Sequence, residues 1–124
     1  FHTRRMFGGA LFNAWPFALL AKHYASGYLD HMKSAIAVSE AFIEGVSAKG
    51  LRVERIPNGS NVFRLIVAGD KAETLRSRLT DQGVMLPRPG RSDGAAVFWL
   101  QVNETWNRTT GEKLVEQFSS ALRG

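Results

Sequence analysis

The sequence predicts an α+β fold, a mostly antiparallel sheet covered by helices and entered through an N-terminal linking helix. Three observations predict it. Residues 61–68 (NVFRLIVA) and 95–102 (AAVFWLQV) are apolar and rich in residues that fit a pleated surface. Helical spacing of apolar residues brackets these stretches on both sides and also separates them. The strands are joined by turns or by single short helices, and hairpin-paired strands covered on one face by helices form an α+β layer.

The elements follow in order. Gly8-Gly9 reads as a loop. Pro16 suits the first turn of a helix, where its missing N–H costs nothing. Phe17, Leu20, Ala21 and Tyr24 continue at helical spacing, and Gly27 breaks or kinks the run. From Tyr28 a long helix resumes, with Leu29, Met32, Ile36, Ile43 and Val46 on one stripe. Gly50 is placed to end it in the left-handed conformation, with Leu51 folding back on the last turn.

Residues 52–56 alternate polar and apolar, as a half-buried strand does, and Pro57-Asn58-Gly59-Ser60 is a turn. After the strand at 61–68, Asp70 and Glu73 have capping-box spacing, with Leu75 and Leu79 on one helix face and Gly83 at its end. Val84-Met85-Leu86 reads as a short strand, and residues 87–94 (PRPGRSDG) as a loop. The buried strand at 95–102 follows, with Trp99 in the core. Thr109 and Glu112 repeat the capping-box spacing, and Leu114, Val115, Phe118, Ala121 and Leu122 form the apolar face of a last helix.

A chain of 124 residues supports one core. It contains no cysteine, which excludes disulfides, thiolate metal sites and a cysteine nucleophile, and fits a cytoplasmic protein. The net charge of +5 suggests an acidic partner such as nucleic acid. Against this, the basic residues are scattered from Arg4 to Arg123 among acidic ones.

Chemistry-bearing motifs are few. The three histidines (His2, His23, His31) lack metal-ligand spacing. No serine sits in G-x-S-x-G, and Gly8-Gly9 is not a dinucleotide fingerprint. Arg88 and Arg91 lie on a Pro-stiffened loop. They are either two solvated side chains or a pair able to grip a carboxylate or phosphate. Trp106 either lines a pocket or packs under the last helix. Residues 1–27 carry more large apolar groups (Phe1, Met6, Phe7, Leu11, Phe12, Trp15, Phe17) than the edge of a small sheet needs, which marks an interface.

Residues 4–22 (RRMFGGALFNAWPFALLAK) carry a basic pair, a Gly-Gly turn and an aromatic-Pro helix start. This segment resembles the threonine aldolase and aromatic amino acid β-eliminating lyase family, pyridoxal-phosphate enzymes of the aspartate aminotransferase fold (fold type I). The likeness continues through the strand entered at Asn61 and on to the last helix, covering the whole chain. The β-eliminating branch, with Gly-Gly followed by Leu and then an aromatic-Pro pair, is the closer pattern. Many aldolases have an arginine near the cofactor phosphate where Leu11-Phe12-Asn13 stand here, and a carboxylate arginine where Ala95-Ala96 stand.

The resemblance implies the C-terminal part of a pyridoxal-phosphate lyase acting on an amino acid, by β-elimination or aldol cleavage. Residues 1–27 would link it to an absent large domain, and residues 28–124 would be the small domain. Arg4, Arg5, Gly8 and Gly9 would contact the cofactor. Arg88 or Arg91 would replace the missing carboxylate arginine. None of Lys22, Lys33, Lys49, Lys71 and Lys113 lies in a motif like that of the cofactor lysine, so the Schiff-base lysine is expected upstream of Phe1. The piece alone is then expected to hold no cofactor and to be inactive, the parent being a cytoplasmic homo-oligomer. The alternative is a stand-alone basic α+β module for an acidic partner such as nucleic acid, in which the first helix packs on its own sheet.

Overall fold

The computed structural model describes residues 14–58 and 61–123. Among them are four α-helices and a four-stranded antiparallel sheet. Helix α1 (Ala14–Ala25) and α2 (Tyr28–Ala48) come first, then β1 (Arg52–Arg55) and β2 (Val62–Ala68). Helix α3 (Ala72–Asp81), β3 (Gly90–Ser92), β4 (Ala95–Gln101) and α4 (Gly111–Arg123) follow. Short 3-10 turns at Gly69–Lys71 and Glu104–Arg108 complete the order. The chain divides into two compact units between His31 and Met32, inside α2.

In the first unit, the turn before α2 is built on Gly27, whose φ of 77° favours glycine. Its carbonyl accepts from the N–H groups of Asp30 and His31 at 3.1 and 3.0 Å. Pro16 sits within the first turn of α1, where an absent N–H leaves no bond unmade. Trp15, Phe17, Leu19, Leu20 and Tyr24 are all exposed, so α1 buries none of these large side chains.

The second unit holds the core. The sheet order is β1-β2-β4-β3. Period-two alternation puts Phe63, Leu65 and Val67 of β2 beside Ala96, Phe98 and Leu100 of β4 on one buried face. Helix α2 covers it with Ala35, Phe42, Ile43 and Val46, α3 with Leu75 and Leu79, and α4 with Leu114, Val115, Phe118 and Ala121. Phe42 is the hub: its ring meets Phe118 edge-on at 4.9 Å and Trp106 at 5.5 Å. Such pairs add about 0.5–1.5 kcal/mol to area burial.

Helices α2 and α4 approach closely through two glycines. A Cβ on Gly111 would lie 2.6 Å from the Ala41 Cβ and 2.9 Å from the Val38 carbonyl oxygen. A Cβ on Gly45 would lie 2.4 Å from a Val115 methyl. The two buried hydroxyls of this core are satisfied locally: Ser39 donates to the Ile36 carbonyl and Ser119 to that of Val115.

Both predicted glycine stops are present. After α2, Leu51 N–H donates to Val46 O and Gly50 N–H to Ser47 O, with Gly50 at φ 85°. After α3, Val84 N–H donates to Leu79 O and Gly83 N–H to Thr80 O, with Gly83 at φ 79°. Both are Schellman motifs closed by an apolar residue.

Five expectations are corrected. Residues 84–86 are not a strand, because Val84 closes the stop of α3 and Pro87 and Pro89 hold φ near −65°, far from the antiparallel value of about −140°. The fourth strand is instead β3, inside the segment read as a loop. Asp93-Gly94 joins it to β4 with φ of 48° and 79°, both positive as a type I′ hairpin turn requires. Asp70 does not cap α3, since residues 69–71 form a 3-10 turn without a side-chain cap, and Glu73 pairs with Arg76. The cap of α4 is Thr110, whose hydroxyl accepts from Lys113 N–H at 3.3 Å, and not Thr109. Trp99 is not core: it points away from the helices and is 51% exposed. Leu29 and Ile36, placed on the α2 stripe by spacing, are also exposed, and burial on α2 begins at Ala35.

Candidate functional site

Four of the sequence-derived site residues, Arg4, Arg5, Gly8 and Gly9, lie outside the described residues. The other two, Arg88 and Arg91, are both exposed. Arg91 stands opposite Ala96 on β4 and lines a hollow of about 370 Å³ with Asp70 and Glu73. Arg88 does not line that hollow. Arg91 thus shares its hollow with the acidic residues Asp70 and Glu73.

A Schiff-base lysine needs a sheltered position facing the cofactor's reactive carbon. Lys22, Lys33, Lys49, Lys71 and Lys113 are all solvent-exposed. His23 stacks edge-on with Tyr24 at 5.2 Å, and no metal-holding cluster occurs among the described residues. No helix among them is long and apolar enough to cross a membrane.

The larger concavity is one that local sequence reasoning missed. A groove of about 680 Å³ runs between residues 82–87, the end of β4, the 104–108 turn and one face of α4. Its floor includes Phe42, Leu100, Leu114 and Phe118, and its walls Val84 and Leu86. Trp106 is in the lining, as one of its two sequence readings has it, and its ring packs against Phe42 of α2 and Phe63 of β2.

Trp106 is held in place by polar contacts. Its indole N–H donates to the Gln101 carbonyl at 2.9 Å. Asn103 caps the turn that carries it, its side-chain oxygen accepting from Thr105 N–H at 2.9 Å and from the Thr105 hydroxyl at 2.6 Å. The charged side chains lining the groove are Arg108 and Lys113, and no carboxylate lines it. The Thr109 hydroxyl, also in the lining, is buried without a hydrogen-bond partner among the described residues.

The far face of the sheet carries a polar ladder. Glu54, Arg64 and Trp99 are cross-strand neighbours on β1, β2 and β4. Arg64 pairs with Glu54 at 2.7 Å and lies over the Trp99 ring at 5.4 Å. Arg52 also pairs with Glu54. Elsewhere, Arg55 Nη1 donates to Glu40 at 2.8 Å, which holds the Glu40 carboxyl below its ordinary range and raises the Arg55 guanidinium. The Glu112 carboxyl is also lowered, by its own backbone N–H and then by the Thr110 hydroxyl. Four arginines, Arg52, Arg55, Arg64 and Arg76, are thus engaged with glutamates.

No family model matches the chain, and neither a curated protein nor a solved structure matches it.

Proposed function

We propose that the chain is the C-terminal part of a pyridoxal-phosphate lyase that acts on an amino acid by β-elimination or aldol cleavage. The observation that carries this reading is the surface of α1. Trp15, Phe17 and Tyr24 are each about two-thirds exposed at 69%, 65% and 65%. An apolar surface of this density is an interface rather than a solvated helix. A linking helix between two domains would bury it against a large domain and a partner subunit. The unit that follows is α+β with a four-stranded antiparallel sheet, and residues 4–9 carry the basic pair and Gly-Gly turn of the resemblance.

In this reading the cofactor, when bound, supplies the electron sink for cleavage at the substrate's β-carbon. The described residues contribute no reacting group. They contribute an α+β unit and the docking surface of α1. The lysine and the acid opposite the pyridine nitrogen belong to the upstream domain, and the parent enzyme is cytoplasmic and oligomeric. The test is to read the coding DNA upstream of Phe1. An in-frame extension of about two hundred residues, the scale of a large domain, with a lysine shortly before the join is the expected result. A start codon at or just before Phe1 would overturn the reading and leave the stand-alone basic module.

A further inference from the structure

The groove beside Trp106 adjoins an open strand edge. Val102 N–H donates to Asn61 O, on the β2 side of β4, at 2.7 Å. Alternation along the strand then aims the backbone groups of Ala95, Val97, Trp99 and Gln101 at the opposite edge. β3 pairs with β4 only from Ala95 to Val97. Past that point residues 84–89 hold no ladder, and no backbone hydrogen bond joins them to Trp99 or Gln101. The groove occupies this gap, with both Leu86 and Trp99 in its lining.

We propose that this groove binds an extended peptide segment of another protein by strand addition to β4. Two features select that occupant. The first is the backbone edge: Trp99 offers a donor and an acceptor, and Gln101 a donor, its carbonyl already accepting from Trp106. An added strand pairs with such groups while alternate side chains enter the groove. The second is charge. An apolar floor with Arg108 and Lys113 at the rim, and no carboxylate in the lining, complements a peptide alternating apolar and acidic residues. The chain's own residues 1–13, with Arg4 and Arg5 and no acid, carry the wrong sign. The proposal is independent of the lyase reading, since neither α1 nor a cofactor takes part.

The experiment is an amide-shift titration of the isotope-labelled chain with a nine-residue peptide alternating leucine and glutamate. The expected result is saturable shifts at the Trp99 and Gln101 amides and the Trp106 indole. Binding falls at least tenfold when the glutamates are replaced by lysines, and at least tenfold in the Arg108→Glu/Lys113→Glu variant. Both residues are exposed, so the variant's fold is checked by its unchanged shifts in α3 and β1. N-methylation of alternate peptide nitrogens abolishes binding in one of its two registers. Overturning results are the absence of shifts at Trp99 and Gln101 with millimolar peptide, or equal binding of the lysine peptide. Equal competition by 4-phenylbutyrate would make the groove a small-molecule site and also overturn it. So would concentration-dependent shifts of the same amides without peptide, which would assign the edge to a second copy.

Discussion

Helices α1 and α4 make opposite use of similar apolar content. In α4, Leu114, Val115, Phe118 and Ala121 fall on one side and are all buried. In α1, Trp15, Phe17, Leu19, Leu20 and Tyr24 spread around the helix and are all exposed. A one-sided stripe is matched to a single sheet, and the sheet is there. Apolar groups on several sides ask for more than one neighbour. The contrast teaches that apolar periodicity reports how much surface must be covered and from how many directions. It does not say whether the cover lies in the same segment of chain.

The contrast can be broken first on the packed side. Phe42 is 1% exposed and joins α2, α4 and the sheet. Phe42→Ala is expected to cost about 3–5 kcal/mol in urea unfolding. A loss below about 1 kcal/mol would mean that the hub is not there.

Next comes the helix seam. Gly111→Ala places its Cβ against backbone as well as side chain, and is expected to cost about 1–3 kcal/mol by the same measurement. The three atoms nearest a Cβ on Gly45 all belong to the Val115 side chain, the closest being a methyl, and a Val115→Ala partner change should recover part of the loss of Gly45→Ala. If the double variant is no better than the sum of the singles, the two sites do not touch.

A smaller effect comes from the Glu40–Arg55 pair. Both side chains are substantially exposed, so Glu40→Gln should cost at most about 1 kcal/mol at neutral pH. The sign follows from the lowered carboxyl of Glu40. Its contribution is present above the unfolded carboxylate value of about 4.3 and is lost as pH falls through the lower folded value. Unfolding curves from about pH 6 to pH 3 should therefore converge for the two proteins at the acid end. Curves that stay parallel would show that the pair does not titrate with folding.

The smallest stability effect is expected on the exposed side. Changing Trp15, Phe17, Leu20 and Tyr24 together to glutamine should move the unfolding of the unit from Met32 onward by no more than about 0.5 kcal/mol. The same change should reduce self-association seen by sedimentation. A loss of more than about 2 kcal/mol would instead mean that α1 packs on its own sheet, as the basic-module alternative requires.

Much of this architecture was legible in local sequence. The two glycine stops, the strands around residues 62–68 and 95–101 and the apolar face of α4 each follow from a few adjacent residues. The hairpin at Asp93-Gly94 was also legible, since Asp-Gly is a strong short-range hairpin signal, but two prolines upstream masked it. Thr109 and Thr110 are adjacent hydroxyls, and only the helix register chooses between them. In AAVFWLQV both faces of the strand carry apolar groups, so nothing local separates buried Phe98 from exposed Trp99. The groove was illegible for a different reason. Its wall, floor and cations come from segments near residues 42, 84, 100, 106 and 113, and only the fold brings them together.

The most direct test of the lyase reading uses the protein made from its whole open reading frame. It is reduced with borohydride, digested, and searched by mass spectrometry for pyridoxyl-lysine. One labelled lysine is expected upstream of Phe1, with no label at Lys22, Lys33, Lys49, Lys71 or Lys113. A label on any of those five, or cofactor-saturated protein with no label, would contradict the lyase reading.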